Sequence, residues 1–264
     1  MSTMNVTAAF LPNRVVSRGT LALIAAAQAG LLVLVWISAP PAVFPRPGEV
    51  MAALGELWRV HGLGRELWVS LVTTLEALGL SAGIGLLLSY ATVLPALRPL
   101  AGLVSKGRFL GLAGLTFAFT LAVGGGHPLK VALLTFGMTV FFVTSMAATV
   151  AAIPREKFDH ARTLGMSEAR GVLEVVVLGT ADEALELLRQ NAAVGWTMLT
   201  MVEGLVRAEG GVGTLLLDQS KHFHLAQVLA IQLAILGVGI FLDYALGVVR
   251  RSLCPYADLK RERR

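Results

Sequence analysis

The sequence predicts an all-α, polytopic membrane protein with about six transmembrane helices. Of its 264 residues, 55% are hydrophobic and 15% are charged, whereas a soluble domain carries about 25% charged residues. The hydrophobic residues lie in long blocks, and each block approaches the roughly 20 residues that a membrane-spanning helix needs. Long apolar blocks separated by charged segments are typical of a chain that crosses a membrane several times.

The apolar blocks predict the positions of the spans. The second block is longer than a span requires, and its glycines Gly79, Gly83 and Gly85 favour close contact with another helix. The third block has Lys106 and Arg108 near its beginning, so its start is the least defined. In chain order, the predicted spans cover residues 20–37, 67–94, 100–123, 128–152, 184–206 and 225–249.

These spans form one predicted transmembrane domain over residues 20–253. An N-terminal arm, 1–19, precedes it, and a basic tail, 254–264, follows it. The first apolar block is about as long as a full span, and no small-residue cleavage site follows it cleanly. We therefore expect a retained helix and not a signal peptide that is removed.

The positive charges predict the orientation of the chain. Of the 22 lysines and arginines, 15 lie in segments on one side of the predicted membrane and six on the other. Lysine and arginine are enriched on the cytoplasmic side, so both termini and the loop 153–183 are expected in the cytoplasm. Basic cytoplasmic loops also account for the net charge of +5 without nucleic-acid binding.

The segment between the first two spans contains a short amphipathic helix. Val50, Leu54, Leu57 and Trp58 fall on one stripe at helical spacing. Such a helix either lies flat at the membrane surface or packs against the bundle as a connector. The sequence leaves both alternatives open.

The loop 153–183, here called the polar loop, is a charged island between two apolar spans. Pro154 suits the beginning of a helix, because its missing N–H is not needed there. Gly165 suits the end of that helix, since glycine adopts the left-handed conformation at little cost. Ser167 can then cap a second short helix. The sequence therefore predicts a helix–glycine–helix at the membrane surface.

The polar loop resembles the cytoplasmic "EAA" loop of ABC importer permeases. The resemblance lies in Asp159–Gly165, which reads Asp-His-Ala-Arg-Thr-Leu-Gly, and in Val175–Leu178, which follows at the family's spacing. The family's glutamate is replaced by Asp159, its first alanine by His160 and its proline by Leu178. The aspartate keeps the charge, so docking of a soluble partner remains plausible.

Other positions in the same order extend the resemblance over roughly residues 40–255. The chain as a whole is similar to inner-membrane permeases of the nitrate/sulfonate/taurine class of ABC importers. The positions that carry the similarity are Phe44-Pro45-Arg46-Pro47, Leu188-Arg189, Trp196, Glu203, Gly211-Val212-Gly213, Leu242-Asp243 and Arg250-Arg251.

The resemblance implies a subunit of an ATP-driven importer that forms the substrate path. It implies a second permease subunit, two ABC ATPase subunits that bind ATP and Mg, and a periplasmic or lipoprotein substrate-binding protein. The chain itself is expected to be no enzyme and to bind no cofactor or metal, and it has no glycine-rich Lys-Ser/Thr loop for a nucleotide. The ATPase-docking residues that it implies are Arg155, Asp159, His160, Ala161, Arg162 and Gly165.

The third span departs from the family because it lacks the proline-rich stretch that such permeases carry near its start. Residues 105–111 have no proline, and prolines break helices where a pathway exposes backbone. Their loss removes a substrate contact or straightens the helix. One hypothesis is that the chain is the diverged half of a heterodimer, which we favour over a homodimer for an unusual substrate. An alternative is a non-transporting scaffold or sensory subunit that keeps the fold.

Polar residues inside the spans are candidates for a gate or a pathway, because charges in a bilayer are costly and tend to be functional. We expect Glu76 to pair across the subunit interface and Arg189 to be an anchor or gate. Threonine hydroxyls in membrane helices more often bond to their own backbone, so each threonine has a structural alternative. The candidates are Glu76, Thr116, Thr120, Thr135, Thr139, Arg189, Thr197 and Thr200.

Overall fold

The computed structural model describes residues 16–38 and 44–255, and it confirms the all-α prediction, since these residues form helices and no strand. The predicted N-terminal arm and basic tail lie mostly outside the described residues. In chain order the α-helices are α1 (Arg18–Ser38), α2 (Pro47–Arg59), α3 (Leu63–Ala91), α4 (Arg98–Lys106), α5 (Leu112–Val123), α6 (His127–Ala151), α7 (Arg155–Thr163), α8 (Glu168–Gly171), α9 (Ala181–Leu205), α10 (Val212–Lys221) and α11 (Leu225–Leu253).

Four described helices, α1, α3, α6 and α11, are long and apolar enough to cross a membrane. They correspond to the predicted spans 20–37, 67–94, 128–152 and 225–249, with ends that differ by a few residues. A fifth span exists if the bent pair formed by α4 and α5 is counted as one. The described residues therefore supply four or five candidate spans instead of the six predicted from the sequence.

The third predicted span, 100–123, is wrong as a single helix. The chain bends by 116° between the segment Pro95–Phe109, which contains α4, and α5. Between α4 and α5, Gly107–Phe109 forms a 3₁₀ turn, and both Leu110 and Gly111 are extended, with ψ near 126° and 127°. The helix is interrupted because two successive residues are extended and leave the helical hydrogen-bond ladder. This break lies where the related permeases have prolines, although residues 105–111 contain none.

The predicted span 184–206 forms the continuous helix α9, but this helix is too polar to count as a candidate span. Three of its polar residues, Asp182, Asn191 and Glu203, face protein, since they are buried. The helix contacts α3, α6, α10 and α11. The polarity of α9 therefore reflects its position in the middle of the bundle.

Close helix packing depends on small residues at two crossings. A Cβ on Gly85 of α3 would lie within 2.5 Å of Phe142 on α6, and one on Gly195 of α9 would lie within 2.5 Å of Met138 on α6. Small residues let helix backbones approach in this way. Of the three glycines in the second span, Gly85 alone is at such a contact, since Gly79 and Gly83 face open space.

Helix α2 is a packed connector and not a helix lying apart on the membrane surface. Val50 and Leu57 are completely buried in the main hydrophobic core, and Ala53 is nearly so. The helix packs on α11. Trp58, the last residue of the predicted stripe, is 60% exposed.

Candidate functional site

The polar loop folds as a helix, a glycine turn and a second short helix. Helix α7 ends in a paired C-terminal turn, in which the Gly165 N–H donates to the Arg162 carbonyl at 2.9 Å and the Met166 N–H donates to the Ala161 carbonyl at 3.1 Å. Gly165 has φ of +74°, the left-handed conformation that this turn requires. Ser167 caps α8, since its Oγ accepts the Arg170 N–H at 3.4 Å.

The charges on the polar loop are exposed and partly paired with each other. Arg162 donates to Glu168 at 2.9 Å and to Asp159 at 3.2 Å. The hydrogen bond from Arg162 lowers the pKa of Glu168, and the hydrogen bond to Glu168 raises the pKa of Arg162. Arg155 and His160 are exposed as well. The carboxylate of Asp159 therefore faces solvent beside a cation of its own chain.

The polar loop is fixed to the bundle by a second hydrophobic core. On α7, Ala161 is buried, and Phe158 packs beside Phe142, Met146 and Val176. These residues come from α6, α7 and the segment after α8. One apolar core therefore holds all three elements together.

A π-helical segment, Val172–Leu178, joins α8 to α9. It ends where the Gly179 N–H donates to the Glu174 carbonyl at 3.1 Å. A Cβ on Gly179 would overlap the carbonyl of Val175, so the turn requires glycine. Leu178 stands where the related permeases have proline, and here the wide turn and Gly179 provide the change of direction.

A cavity with a volume of about 1000 Å³ lies between α3, α4, α5 and α6. Its wall is almost entirely carbon, and the rings of Phe119 and Phe136 lie 5.7 Å apart at 60° to each other. Three of the predicted pathway residues, Glu76, Thr135 and Thr139, line it. We call this space the α6 cavity.

Glu76 pairs within its own chain. Its carboxylate lies 2.7 Å from Nε2 of His127, the first residue of α6. Both side chains are partly exposed, at 47% and 37%, and both line the α6 cavity. Glu76 therefore has an ion-pair partner on the neighbouring helix of its own chain, and a partner across a subunit interface is not required to account for its charge.

The predicted pathway threonines divide into two kinds. The hydroxyls of Thr116, Thr120, Thr197 and Thr200 donate to backbone carbonyls three or four residues earlier in their own helices. The hydroxyls of Thr135 and Thr139, by contrast, have no partner although both oxygens are buried.

Among the described threonines this lack of a partner is exceptional, although Ser89 and Asn191 also have buried side-chain polar atoms without a partner. Every other described threonine has a hydrogen bond for its hydroxyl. A buried hydroxyl without a partner costs about 1–3 kcal/mol. Thr135 and Thr139 are four residues apart, which places them on one face of α6.

Comparison with known proteins agrees with this architecture. The chain is 27% identical over 254 residues to the taurine transport system permease protein TauC of Escherichia coli (strain K12), covering 91% of this chain and 89% of that protein. Its structure is similar to that of the MetNI methionine ABC transporter in an inward-facing conformation, with a TM-score of 0.54 and 16% identity, over 72% of this chain and 95% of the other.

The chain is a permease of the ABC importer class. No family model matches it. The similarity to the methionine transporter shows the fold, and the similarity to TauC extends over nearly the full length of both chains. Neither comparison tests the role of an individual residue.

The fifth predicted span of this permease carries an ion-pair cluster, which includes the predicted gate residue Arg189. Arg189 donates to both oxygens of Asp243 at 2.9 Å and to Glu186 at 2.7 Å. Arg250 lies 2.7 Å from both Asp182 and Glu186. The cluster therefore ties the beginning of α9 to the end of α11, beside the polar loop.

Arg189 and Thr197 line a separate groove of about 450 Å³ between α9 and α11. The structure thus does not bring all predicted pathway residues to one place. Glu76, Thr135 and Thr139 share the α6 cavity, whereas Arg189 and Thr197 belong to the groove. The α6 cavity has the larger volume and collects three of the predicted residues against two, so we treat it as the candidate substrate site of the permease.

A buried polar cluster at the far end of the permease, where α3 and α6 begin, was not predicted. Glu203 is fully buried and accepts hydrogen bonds from Ser70 at 2.7 Å and from the Gly213 N–H at 2.8 Å. Lys130 is also buried and donates to the Gly210 carbonyl at 2.6 Å. Glu66 accepts the Gly211 N–H. The cluster fixes the glycine-rich segment that enters α10.

Two sequence signals point to this buried cluster in retrospect. Lys130 and Glu203 are isolated charges at the ends of apolar stretches, and the segment 210–213 reads Gly-Gly-Val-Gly. A glutamate near the end of a span could also lie at the solvated rim, but the exposure of Glu203 is 0%.

Two histidines, His222 and His224, face each other without forming a metal site. Their Nδ1 atoms lie 2.8 Å from the Asp218 carbonyl and the Gln219 side-chain oxygen. The described residues contain no group of three or more histidine, cysteine or acidic side chains placed to hold a metal ion.

Proposed function

We propose that this permease is one of two membrane subunits of an ATP-driven importer in the bacterial inner membrane, with both termini and the polar loop in the cytoplasm. The orientation is supported by the distribution of lysine and arginine along the sequence. In this proposal the chain binds no nucleotide; separate ATPase subunits bind ATP and Mg, and a substrate-binding protein delivers the cargo on the opposite side.

The polar loop is the observation that carries this proposal. It presents an exposed charged helix, α7, whose end is fixed by the Gly165 turn and whose underside is buried against α6 through Phe158 and Ala161. A helix that is exposed on one face and rigidly packed on the other transmits the movement of a docked partner into the membrane helices.

Docking would engage the exposed face of α7. Asp159 is paired with Arg162, but both side chains are more than half exposed, and surface ion pairs stabilise proteins little. A basic residue of the ATPase can therefore replace or join Arg162 as the partner of Asp159. His160 and Arg155 lie on the same exposed helix and complete the proposed docking surface.

The experiment that tests the proposal is a tagged pull-down in mild detergent, followed by mass spectrometry. We expect the unmodified permease to recover an ABC ATPase, and the double variant Asp159→Lys with Gly165→Pro to lose it, since the first change reverses the docking charge and the second forbids the left-handed turn. A second, different permease in the eluate would support the heterodimer, and its consistent absence the homodimer.

Two matched variants control for unfolding and for charge. Gly171→Ala adds a methyl in ordinary contact with Ala161, and Asp218→Lys reverses a charge on α10 at the far end. Both should recover the ATPase as the unmodified chain does.

Recovery of the ATPase by the double variant would disprove docking through the polar loop. Its absence with the unmodified chain, under conditions that preserve a known importer, would disprove the importer proposal.

A further inference from the structure

We propose that the α6 cavity takes a neutral small molecule with an apolar, ring-containing body and one hydrogen-bonding group that is recognised by Thr135 and Thr139. This inference rests on the proposed function, since it names the class of substrate for the same site. It assigns to two threonines the role of specificity-determining residues.

The wall of the α6 cavity favours an apolar body. Its surface is almost entirely carbon, and it includes the tilted pair Phe119 and Phe136. Aromatic rings prefer tilted or offset arrangements with other rings. A cavity of about 1000 Å³ lies at the upper end of the range in which small-molecule ligands are buried.

The charges around the α6 cavity do not complement an anion. At one end, the carboxylate of Glu76 already pairs with His127, so that end offers no unpaired cation. At the other end, Lys106 is the single fully charged cation of the lining, and it is exposed. An anion between the two ends would lose part of its hydration to an apolar wall without meeting a buried positive charge.

The threonines supply the polar part of the recognition. The hydroxyl oxygens of Thr135 and Thr139 are buried and have no partner, while the residues line the cavity. A rotation about χ1 by one staggered position moves the hydroxyl of a threonine to the position that its methyl occupied. Either side chain can thereby present its hydroxyl to a ligand, which satisfies a group that is otherwise left without a hydrogen bond.

Three probes with the same body test the proposal: 2-naphthalenemethanol, 2-methylnaphthalene and 2-naphthoate. Their binding is measured by calorimetry on the full chain, with its co-purifying subunits, in lipid nanodiscs, and the signal of empty nanodiscs is subtracted. We expect the alcohol to bind about tenfold more tightly than the hydrocarbon, the amount that one or two net hydrogen bonds contribute. We also expect the alcohol to bind more tightly than the carboxylate.

The double variant Thr135→Val with Thr139→Val keeps the shape of both side chains and removes both hydroxyls. It should abolish the preference for the alcohol over the hydrocarbon and leave binding of the hydrocarbon unchanged. Thr144→Val with Thr149→Val is the matched control on the same helix, because those hydroxyls donate to α6 carbonyls. This control should keep the preference.

Several outcomes would overturn the substrate class. The first is that 2-naphthoate binds more tightly than the alcohol and that Lys106→Met abolishes this difference. The second is that the alcohol binds equally to the unmodified chain and to the Thr135/Thr139 double variant. The third is that the alcohol shows no saturable binding. Equal uptake of all three probes by every variant would indicate a lipid-filled space. Failure of the proposed function is distinguishable, because the ATPase would then be missing from the preparation whichever probe binds.

Discussion

The two ends of this permease use charged residues in opposite ways. At the far end, Glu203 and Lys130 are buried and hold the backbone of the glycine-rich segment 210–213. In the polar loop, Arg162 and Glu168 pair on an open surface. Buried charges without partners are costly, so the first set fixes the packing of α10 on α9. The second set can exchange its partners, as a docking surface must.

Among the substitutions that compare the two ends, we expect the largest loss of stability from a change at Gly213. A Cβ at this position would overlap the backbone carbonyl of Thr200 on α9 and would crowd Glu203. We expect Gly213→Ala to lower the free energy of unfolding by about 3 kcal/mol, in the upper part of the range for overpacked sites. Denaturant unfolding in detergent, followed by circular dichroism, measures the change.

The control for Gly213→Ala is Gly204→Ala on the adjoining helix. There the nearest side-chain atom, of Leu217, lies 3.6 Å from the added methyl, and alanine in a helix is more favourable than glycine by up to about 1 kcal/mol. We expect no loss of stability. A loss as large as that of Gly213→Ala would mean that α9 and α10 are not held together at this glycine.

The ion-pair cluster of α9 and α11 is intermediate between the two ends. Its side chains are partly buried, with Arg250 at 21% exposure and Asp182 at 12%. Arg250→Met leaves two carboxylates without this cation, and we expect it to cost about 2 kcal/mol, less than a fully buried pair. The thermal midpoint in detergent should fall accordingly.

Arg251→Met is the matched control for this cluster, because Arg251 is the next residue and is exposed. It should leave the thermal midpoint unchanged. If both variants behaved alike, the link between α9 and α11 would contribute no stability. If Arg250→Met instead kept its stability and lost ATPase activity in the assembled importer, the cluster would act in the transport cycle and not in the fold.

The sequence predicts the apolar framework of this permease better than its polar contacts. The helices α1, α3, α6 and α11 follow from long apolar blocks alone, and Gly165 predicts the turn of the polar loop because few residues adopt its conformation. The break between α4 and α5 could not be found in this way, since no proline marks it.

The partners of the polar residues depend on how the helices are arranged. Glu76 meets His127 from 51 positions away, and Glu203 meets Ser70 from 133 positions away, distances over which no local pattern operates. The sequence alone places three charged residues of the ion-pair cluster, Asp182, Glu186 and Arg189, on one helical face. Its cation, Arg250, comes from another helix. Which threonines keep a free hydroxyl was likewise decided by tertiary packing.

The smallest expected effect is the titration of the exposed pair Arg162 and Glu168 in the polar loop. The hydrogen bond from Arg162 lowers the pKa of Glu168. The stabilisation from this pair is therefore complete above the ordinary pKa of a glutamate, and it is lost as the pH falls through the lowered value. Because both groups are exposed, we expect no measurable change in the thermal midpoint of Glu168→Gln at neutral pH.

The titration itself is nevertheless measurable by NMR of the labelled glutamate carboxyl carbon. Arg162→Gln should raise the titration midpoint of Glu168 towards the ordinary value, whereas Arg170→Gln, whose side chain lies 4.0 Å from Glu174, should leave it in place. Bound ATPase would compete for Arg162 or Asp159, and so it should shift the midpoint of Glu168 even when stability is unaffected. A midpoint that Arg162→Gln leaves unchanged would mean that the pair of Arg162 and Glu168 is absent in solution.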